Sequence, residues 1–456
     1  MTVLWTGAEL KTHLGVEHAP DVSGISIDTR TLRPGDLFVA LQGQRDGHEF
    51  VNLAFAKGAA AALVSRPMPD IAASEAGASE KMLLVPDGMV ALQMLGQAAR
   101  ARAAAKILAI TGSVGKTTTK EMLRRIFSAF GTVHAAEASY NNHIGVPLTL
   151  ARMPREADFG VFEIGMNHPG EIAPLAAMVR PDAAVITCLD RAHLGLMRSE
   201  LAIAREKASI YRALVPGGKA ILPGETAYLN ILREQVQAGH CALLFNGPEA
   251  RLLDIQAGPE GSEIAAEILD QKVYFYLEAP GRHMASNALA ALTAAASLGL
   301  DVQRAAEALS GFSPYAGRGA RRWLELPGKR RVLLLDESYN ASGASMRAAF
   351  SVLALQPGRH VAVLGDMLEL GDHAEQEHLG LLTSLRGSAD IVFSAGPHCS
   401  KLFESLPCAM QGACAPDAAT LAPLVKNALR DGDVVLVKGS LGSRMRDVIS
   451  ALESPG

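Results

Sequence analysis

The stretch Ile107-Leu108-Ala109-Ile110-Thr111-Gly112-Ser113-Val114-Gly115-Lys116-Thr117-Thr118 decides the fold. Its apolar run reads as a buried strand, its two glycines as a tight turn, and the residues from Lys116 onward as the start of a helix. A strand feeding such a turn and then a helix N-terminus makes a phosphate cradle. Backbone N–H groups curl inward, the helix end adds partial positive charge, and a lysine at this position reaches the outer phosphates. The cradle comprises Gly112, Ser113, Val114, Gly115, Lys116, Thr117 and Thr118, with the Thr117 hydroxyl placed to ligate magnesium. Ile110 stands where the usual G-x-x-x-x-G-K-[ST] pattern has its first glycine, so the loop is a shortened variant. A glycine-rich turn between core elements is the plainer alternative.

Working outward, short apolar runs recur between alanine-rich helical stretches at Val161–Ile164, Ala184–Thr187, Ala220–Leu222, Val332–Leu335, Val361–Leu364 and Val434–Val437. This alternation predicts an α/β protein with buried, mostly parallel sheets. Met122, Leu123, Ile126, Phe127 and Phe130 share one face of the helix after the cradle, which is core packing. Before residue 83 the texture differs: Ile25–Arg30, Asp36–Leu41 and Ala60–Val64 look like short strands joined by polar turns. A second break falls at Ser313-Pro314-Tyr315-Ala316-Gly317-Arg318-Gly319, after which the strand–helix rhythm restarts. Three domains are expected: a small mixed α/β unit at 1–82, a central P-loop unit at 83–313, and a Rossmann-like α/β unit at 314–456.

The 456 residues exceed one ordinary core. Their 43 basic and 47 acidic side chains nearly cancel, and no basic run interleaves with aromatics, so the expected partners are small molecules rather than nucleic acid. Cys188, Cys241, Cys399, Cys408 and Cys414 form no C-x-x-C pair, which argues for reduced thiols and a cytoplasmic protein. No signal-like N-terminus and no membrane-spanning run is read, and a monomer is expected.

Glu163 ends the run Val161–Ile164 before Gly165, so its carboxylate should emerge at the carboxyl edge of the sheet, where ligands bind. It reads as a metal ligand or as a capped strand end. His193 follows another strand at the same edge and reads as a structural hydrogen-bonder or a ligand. Lys207 and Asn287 lie in helical stretches and carry no signal by themselves. In the last unit, Asp336-Glu337-Ser338-Tyr339-Asn340, Gly365-Asp366-Met367-Leu368-Glu369-Leu370-Gly371 and Lys438 each follow a predicted strand. Such loops can meet the cradle only if the domains close, which suggests a nucleotide held between them.

Taken together, these segments resemble the ATP-dependent Mur ligases of peptidoglycan synthesis. The likeness covers essentially the whole chain. It includes Asp28-Thr29-Arg30, Gly35–Leu41, Asp46-Gly47-His48, the cradle, Asn141–Leu148, Glu163, Gly170-Glu171-Ile172, His193, Lys207 and Asn287 in order. The segments 336–340 and 365–371 are most similar to the branch that adds D-alanyl-D-alanine, and the Asp-Asn-Pro-Arg run of diaminopimelate-adding relatives is absent. The resemblance implies ATP and Mg²⁺ as cofactors and an acyl-phosphate route from a UDP-N-acetylmuramoyl-tripeptide and D-alanyl-D-alanine to an amide. By position it implies Lys116, Glu163, His193 and Lys207 as catalytic residues. Thr117 would serve the magnesium at the ATP phosphates, Glu163 and His193 would hold a second magnesium, and a carbamylated Lys207 would bridge metal. Asn287, Arg318 and Asp336 would join the cradle in holding ATP, and Thr29, Arg30, Asn142, Tyr339, Asn340 and Asp366 would contact the other substrates. The chain departs from the family pattern at Ser139, Gly195, Leu222–Glu225 and Met284. A folylpolyglutamate-type ligase and a P-loop nucleotide switch are the competing readings, the former leaving residues 1–82 without a purpose.

Overall fold

The computed structural model describes residues 2–70, 78–137, 139–191 and 194–454. Its strands form three sheets. The first is parallel and runs in chain order: β1 (Gly24–Ser26), β2 (Asp36–Val39), β3 (Ala61–Val64) and β4 (Met82–Leu84). β4 corrects the expected boundary at 82/83, which cuts it in two, because Met82–Leu84 pairs with the free edge of β3. Leu92, Leu95 and Ala99 of the following helix, Gly88–Arg102, then pack with Trp5, Leu37 and Leu63 in one core. The expected strand at Ile25–Arg30 is also shorter. Asp28 Oδ1 accepts the Arg30 N–H at 2.8 Å, an Asx turn that bends the chain out of the sheet.

The second sheet has nine strands: β5 (Lys106–Thr111), β6 (Val133–Ala135), β7 (Phe159–Glu163), β8 (Ala183–Ile186), β9 (Lys219–Pro223), β10 (Cys241–Phe245), β11 (Ala250–Ala257), β12 (Ser262–Ile268) and β13 (Gln271–Leu277). Their spatial order is β13-β12-β11-β10-β9-β8-β5-β7-β6, parallel from β6 through β11, with only the β11–β12 and β12–β13 pairs antiparallel. Both faces are covered. Leu108 and Ile110 point into one apolar core and Ile107 and Ala109 into the other, the two-residue alternation of a strand. Met122, Leu123, Ile126 and Phe127 of the helix Lys116–Ser128 are fully buried in the first of these cores. At about 1.5–3 kcal/mol for each such side chain, they pin the helix, and with it the loop it ends, to the sheet.

The third sheet comprises β14 (Ala320–Leu326), β15 (Arg330–Glu337), β16 (His360–Gly365), β17 (Ile391–Ala395), β18 (Gln411–Ala415) and β19 (Val434–Lys438), in the order β14-β15-β19-β16-β17-β18. Only the β14–β15 pair is antiparallel. Cores again lie on both faces, with Ala362 and Leu364 in one and Val361 and Val363 in the other. No helix among the described residues is long and apolar enough to cross a membrane.

Candidate active site

β5 lies between β7 and β8, whose connection crosses it, so the carboxyl end of β5 is the point where the chain winds to opposite sides and a crevice opens. The cradle sits there. Gly112 (φ +149°) and Gly115 (φ +83°) both occupy backbone conformations that side chains disfavour. A Cβ would stand 1.9 Å from Thr187 Oγ1 at Gly112 and 2.5 Å from Asn287 Oδ1 at Gly115. The segment after β8 holds the loop: the Ser113 N–H donates to Cys188 O (2.9 Å), the Val114 N–H to Cys188 Sγ (3.3 Å), and Thr187 Oγ1 to Val114 O (2.5 Å).

Two lysines converge on one carbonyl. Lys116 Nζ donates to Gly112 O at 2.7 Å and Lys207 Nζ donates to it at 3.1 Å. Burial lowers the Lys116 pKa and nearby Arg318 adds to this, while Glu163 opposes it. Lys207 is held well below the ordinary lysine range by burial, helped by the Lys116 charge. The helix Glu200–Ala208 turns Lys207 inward, to 1% exposure, instead of toward solvent. It lies behind the cradle rather than on the cleft wall.

Glu163, 2% exposed at the end of β7, accepts from Thr117 Oγ1 on one carboxylate oxygen and from Asn141 Nδ2 on the other, both at 2.8 Å. This brings Thr117 and Glu163 together at the foot of the cradle. His193 lies outside the described residues.

These groups border a cleft of about 980 Å³ whose walls come from the second and third sheets and their loops. Ser113, Val114, Gly115, Lys116, Thr118, Asn142, Glu163 and Asn287 line one side, and Arg318, Tyr339 and Asn340 the other. The Arg318 guanidinium stacks 4.1 Å from the Tyr339 ring centre and donates to Ser139 Oγ at 3.2 Å, so the departure at Ser139 supplies a contact across the cleft. Asn142 is occupied locally: its Oδ1 accepts the N–H groups of Ile144 and Gly145 at the start of the helix Gly145–Ala151.

Four expected contact residues outside the cradle do not line the cleft. Asp336 is 1% exposed and accepts the Ser338 N–H and hydroxyl. Successive residues of a strand face opposite sides, so its neighbour Glu337 lines the cleft, paired with Lys438 at 3.2 Å. Asp366 is buried and accepts the N–H groups of His398 and Cys399, capping the helix Pro397–Glu404. Arg30 is tied to Asp28 on the first unit at 2.6 Å, and buried Thr29 gives its carbonyl to Lys57 Nζ at 2.8 Å. Among residues not chosen as site residues from the sequence, Asn141, His143, His283, Glu337 and Lys438 line the cleft. Strand-end position marks Glu337 and Lys438. Nothing in the helical pattern marks His283.

Sequence and fold comparisons agree with this geometry. The Mur ligase family catalytic domain matches residues 21–101, the Mur ligase middle domain residues 110–295, and the Mur ligase glutamate ligase domain residues 321–441. The UDP-N-acetylmuramoyl-tripeptide–D-alanyl-D-alanine ligase of Synechocystis sp. is 36% identical over 435 residues, covering 94% of this chain and 92% of the relative. Among solved structures, MurF from Acinetobacter baumannii superposes with a TM-score of 0.86 at 30% identity and 98% coverage of both chains. MurF from Thermotoga maritima, solved in complex with ADP, gives 0.79 at 26% identity, covering 95% of this chain and 97% of that one. The family domains tile all three sheets, the cradle falls within the middle one, and the chain belongs to the Mur ligase family.

Proposed function

We infer that the protein is an ATP-dependent ligase that joins D-alanyl-D-alanine to a UDP-N-acetylmuramoyl-tripeptide, making the pentapeptide precursor of peptidoglycan. One observation carries this reading beyond the family: the phosphate cradle and the 336–340 loop of the third sheet, one of the two segments most like the D-alanyl-D-alanine-adding branch, line a single cleft. A carboxylate is a poor electrophile, and phosphorylation by ATP converts it to an acyl phosphate that an amine can attack, with phosphate leaving. In this division of labour the cradle and Asn287 take the nucleotide, the first unit with Thr29 and Arg30 takes the UDP end, and the third unit selects the amine.

The Thr117 hydroxyl and the Glu163 carboxylate present hard oxygen donors at 2.8 Å from each other, a donor set that suits Mg²⁺. When bound there, the ion supplies charge neutralisation for phosphoryl transfer. His193 and carbamylated Lys207 complete the proposed ligand set. Carbamylation needs a neutral amine, and the depressed pKa of Lys207 supports it. Lys116 stays anchored by Gly112 and Ser113 carbonyls at the mouth of the cradle, in reach of a terminal phosphate. All five cysteines are free, which supports the cytoplasm as the place of action.

The test is phosphate release with and without each substrate. Release that needs both the UDP-linked tripeptide and D-alanyl-D-alanine, with one amide formed per phosphate, is expected. ATP hydrolysis indifferent to both would reject the ligase in favour of a nucleotide switch.

A further inference from the structure

Asp190 touches both the cradle and the third unit, and Arg191 and Gly195 touch the third unit. On the cradle side, Ser113 Oγ donates to Asp190 O and accepts the Asp190 N–H, each at 3.0 Å. On the other side, Asp190 Oδ2 accepts the Ser342 hydroxyl at 3.1 Å and the Ala344 N–H at 3.3 Å. Ser342 caps the twelve-residue helix Gly343–Ala354, so the Asp190 carboxylate sits where the helix dipole favours negative charge. Next along the chain, Arg191 bridges Glu200 of its own unit (2.7 Å) and Glu377 of the third (2.8 Å). Gly195 donates its N–H to Glu369 O at 3.0 Å. A Cβ on Gly195 would stand 2.7 Å from the Gly371 nitrogen, so the two backbones approach this closely only because residue 195 has no side chain.

We propose that Asp190, Arg191 and Gly195 form a latch that positions the third unit over the cleft, and that Ser113 ties this latch to the phosphate loop. These are positioning residues. None of the three lines the cleft, whereas Ser113 and Ser342, which Asp190 joins, both do. Loading the cradle thereby stiffens the contact that brings the amine-selecting loops to the activated carboxylate. The proposal rests on the ligase reading, and its test separates the two.

The variants are Asp190→Ala and Gly195→Ala. Gly195 is solvent-exposed and has no positive φ, and the nearest atoms to an added Cβ belong to Glu369 and Gly371 of the third unit, so its variant keeps the fold. Hydrogen exchange of the amides at 342–346 is followed in the full chain with and without a non-hydrolysable ATP analogue and Mg²⁺. Steady-state kinetics and equilibrium binding of the UDP-linked tripeptide are measured alongside. In the unaltered protein the analogue slows exchange at Ala344, and in both variants that slowing is lost. The KM for D-alanyl-D-alanine rises about fivefold or more, the factor that loss of one helix-cap contact corresponds to, while the dissociation constant of the UDP-linked substrate is unchanged. Retained slowing in Gly195→Ala with an unaltered dipeptide KM would overturn the latch. Absence of ligation by the unaltered protein would overturn the ligase reading instead.

Discussion

Replacing Glu163 by glutamine separates a metal ligand from a structural strut. The carboxylate is 2% exposed and takes one hydrogen bond from Thr117 Oγ1 and one from Asn141 Nδ2, each at 2.8 Å. A glutamine fits the same space. Its carboxamide oxygen still accepts from Asn141, and its NH₂ donates to Thr117, whose hydroxyl proton turns away. Both contacts survive as neutral bonds. The change in folding stability should therefore stay within about 1–2 kcal/mol, the difference between charged and neutral hydrogen bonds offset by release of a buried charge. Catalysis should suffer more. Losing the anionic oxygen from the magnesium donor set, at a site where charge on the transferring phosphoryl group must be balanced, corresponds to roughly 10²–10³-fold in kcat, or about 2.7–4 kcal/mol of barrier. The assay is phosphate release with both substrates across a magnesium titration, with thermal unfolding run in parallel. A variant with kcat within about threefold of wild type and an unshifted magnesium midpoint, on a scale where tenfold is 1.36 kcal/mol, would refute the ligand role.

Three further outcomes follow from the same geometry. Lys207→Ala should lose at least ~10²-fold in turnover and recover part of it with an added short carboxylate that replaces the carbamate, and wild-type turnover would remove Lys207 from the reaction. Gly115→Ala places a side chain at φ +83° and 2.5 Å from Asn287 Oδ1, so strain of about 1–2 kcal/mol and displacement of Asn287 should raise the KM for ATP about tenfold. An unchanged ATP KM in that variant would dissociate Asn287 from nucleotide binding. Glu9, paired with Arg102 at 3.0 Å and with Arg155 at 2.6 Å, is a pH-dependent clasp. Burial alone would raise its pKa, but hydrogen bonds from Thr6 and Arg102 outweigh this and bring it down to about 2. A carboxyl depressed in the folded state stabilises above its unfolded pKa and loses that contribution as pH falls through the folded value. Denaturant melts of wild type and Glu9→Gln should thus differ at pH 7, and converge between about pH 4.5 and pH 2. A constant difference across that range would exclude the clasp.

The chain's sequence by itself determined the parts that local chemistry dictates. The apolar run before Gly112, the two cradle glycines and the Lys116-Thr117 pair specify strand, turn and helix without reference to anything distant, and the structure places them so. All seven apolar runs read as strands coincide with strands, Val161–Ile164 and Ala184–Thr187 each overrunning by one residue, because buried parallel strands are apolar on both faces and stand out against helical periodicity. The antiparallel extension β11–β13 was not legible. Its hairpin turns through Leu269-Asp270, both at positive φ, where the pattern that signals such a turn is Asn-Gly or Asp-Gly. Tertiary structure alone decided what long-range packing sets. Lys207 reads as a solvent-facing lysine until the helix Glu200–Ala208 docks and turns it onto Gly112 O. Glu337 rather than Asp336 faces the cleft because the register of β15 against β14 and β19 chooses which side each residue takes. Asp366 caps a helix whose N-terminus comes from 31 residues further along the chain, at Pro397. Asp190 and Gly195 acquire their meaning only when the third unit lies against them, since a carboxylate and a glycine in a loop carry no signal of a partner 152 or more residues away. Local conformational preference is written residue by residue, whereas the partner of a side chain is chosen by how separately folded surfaces meet.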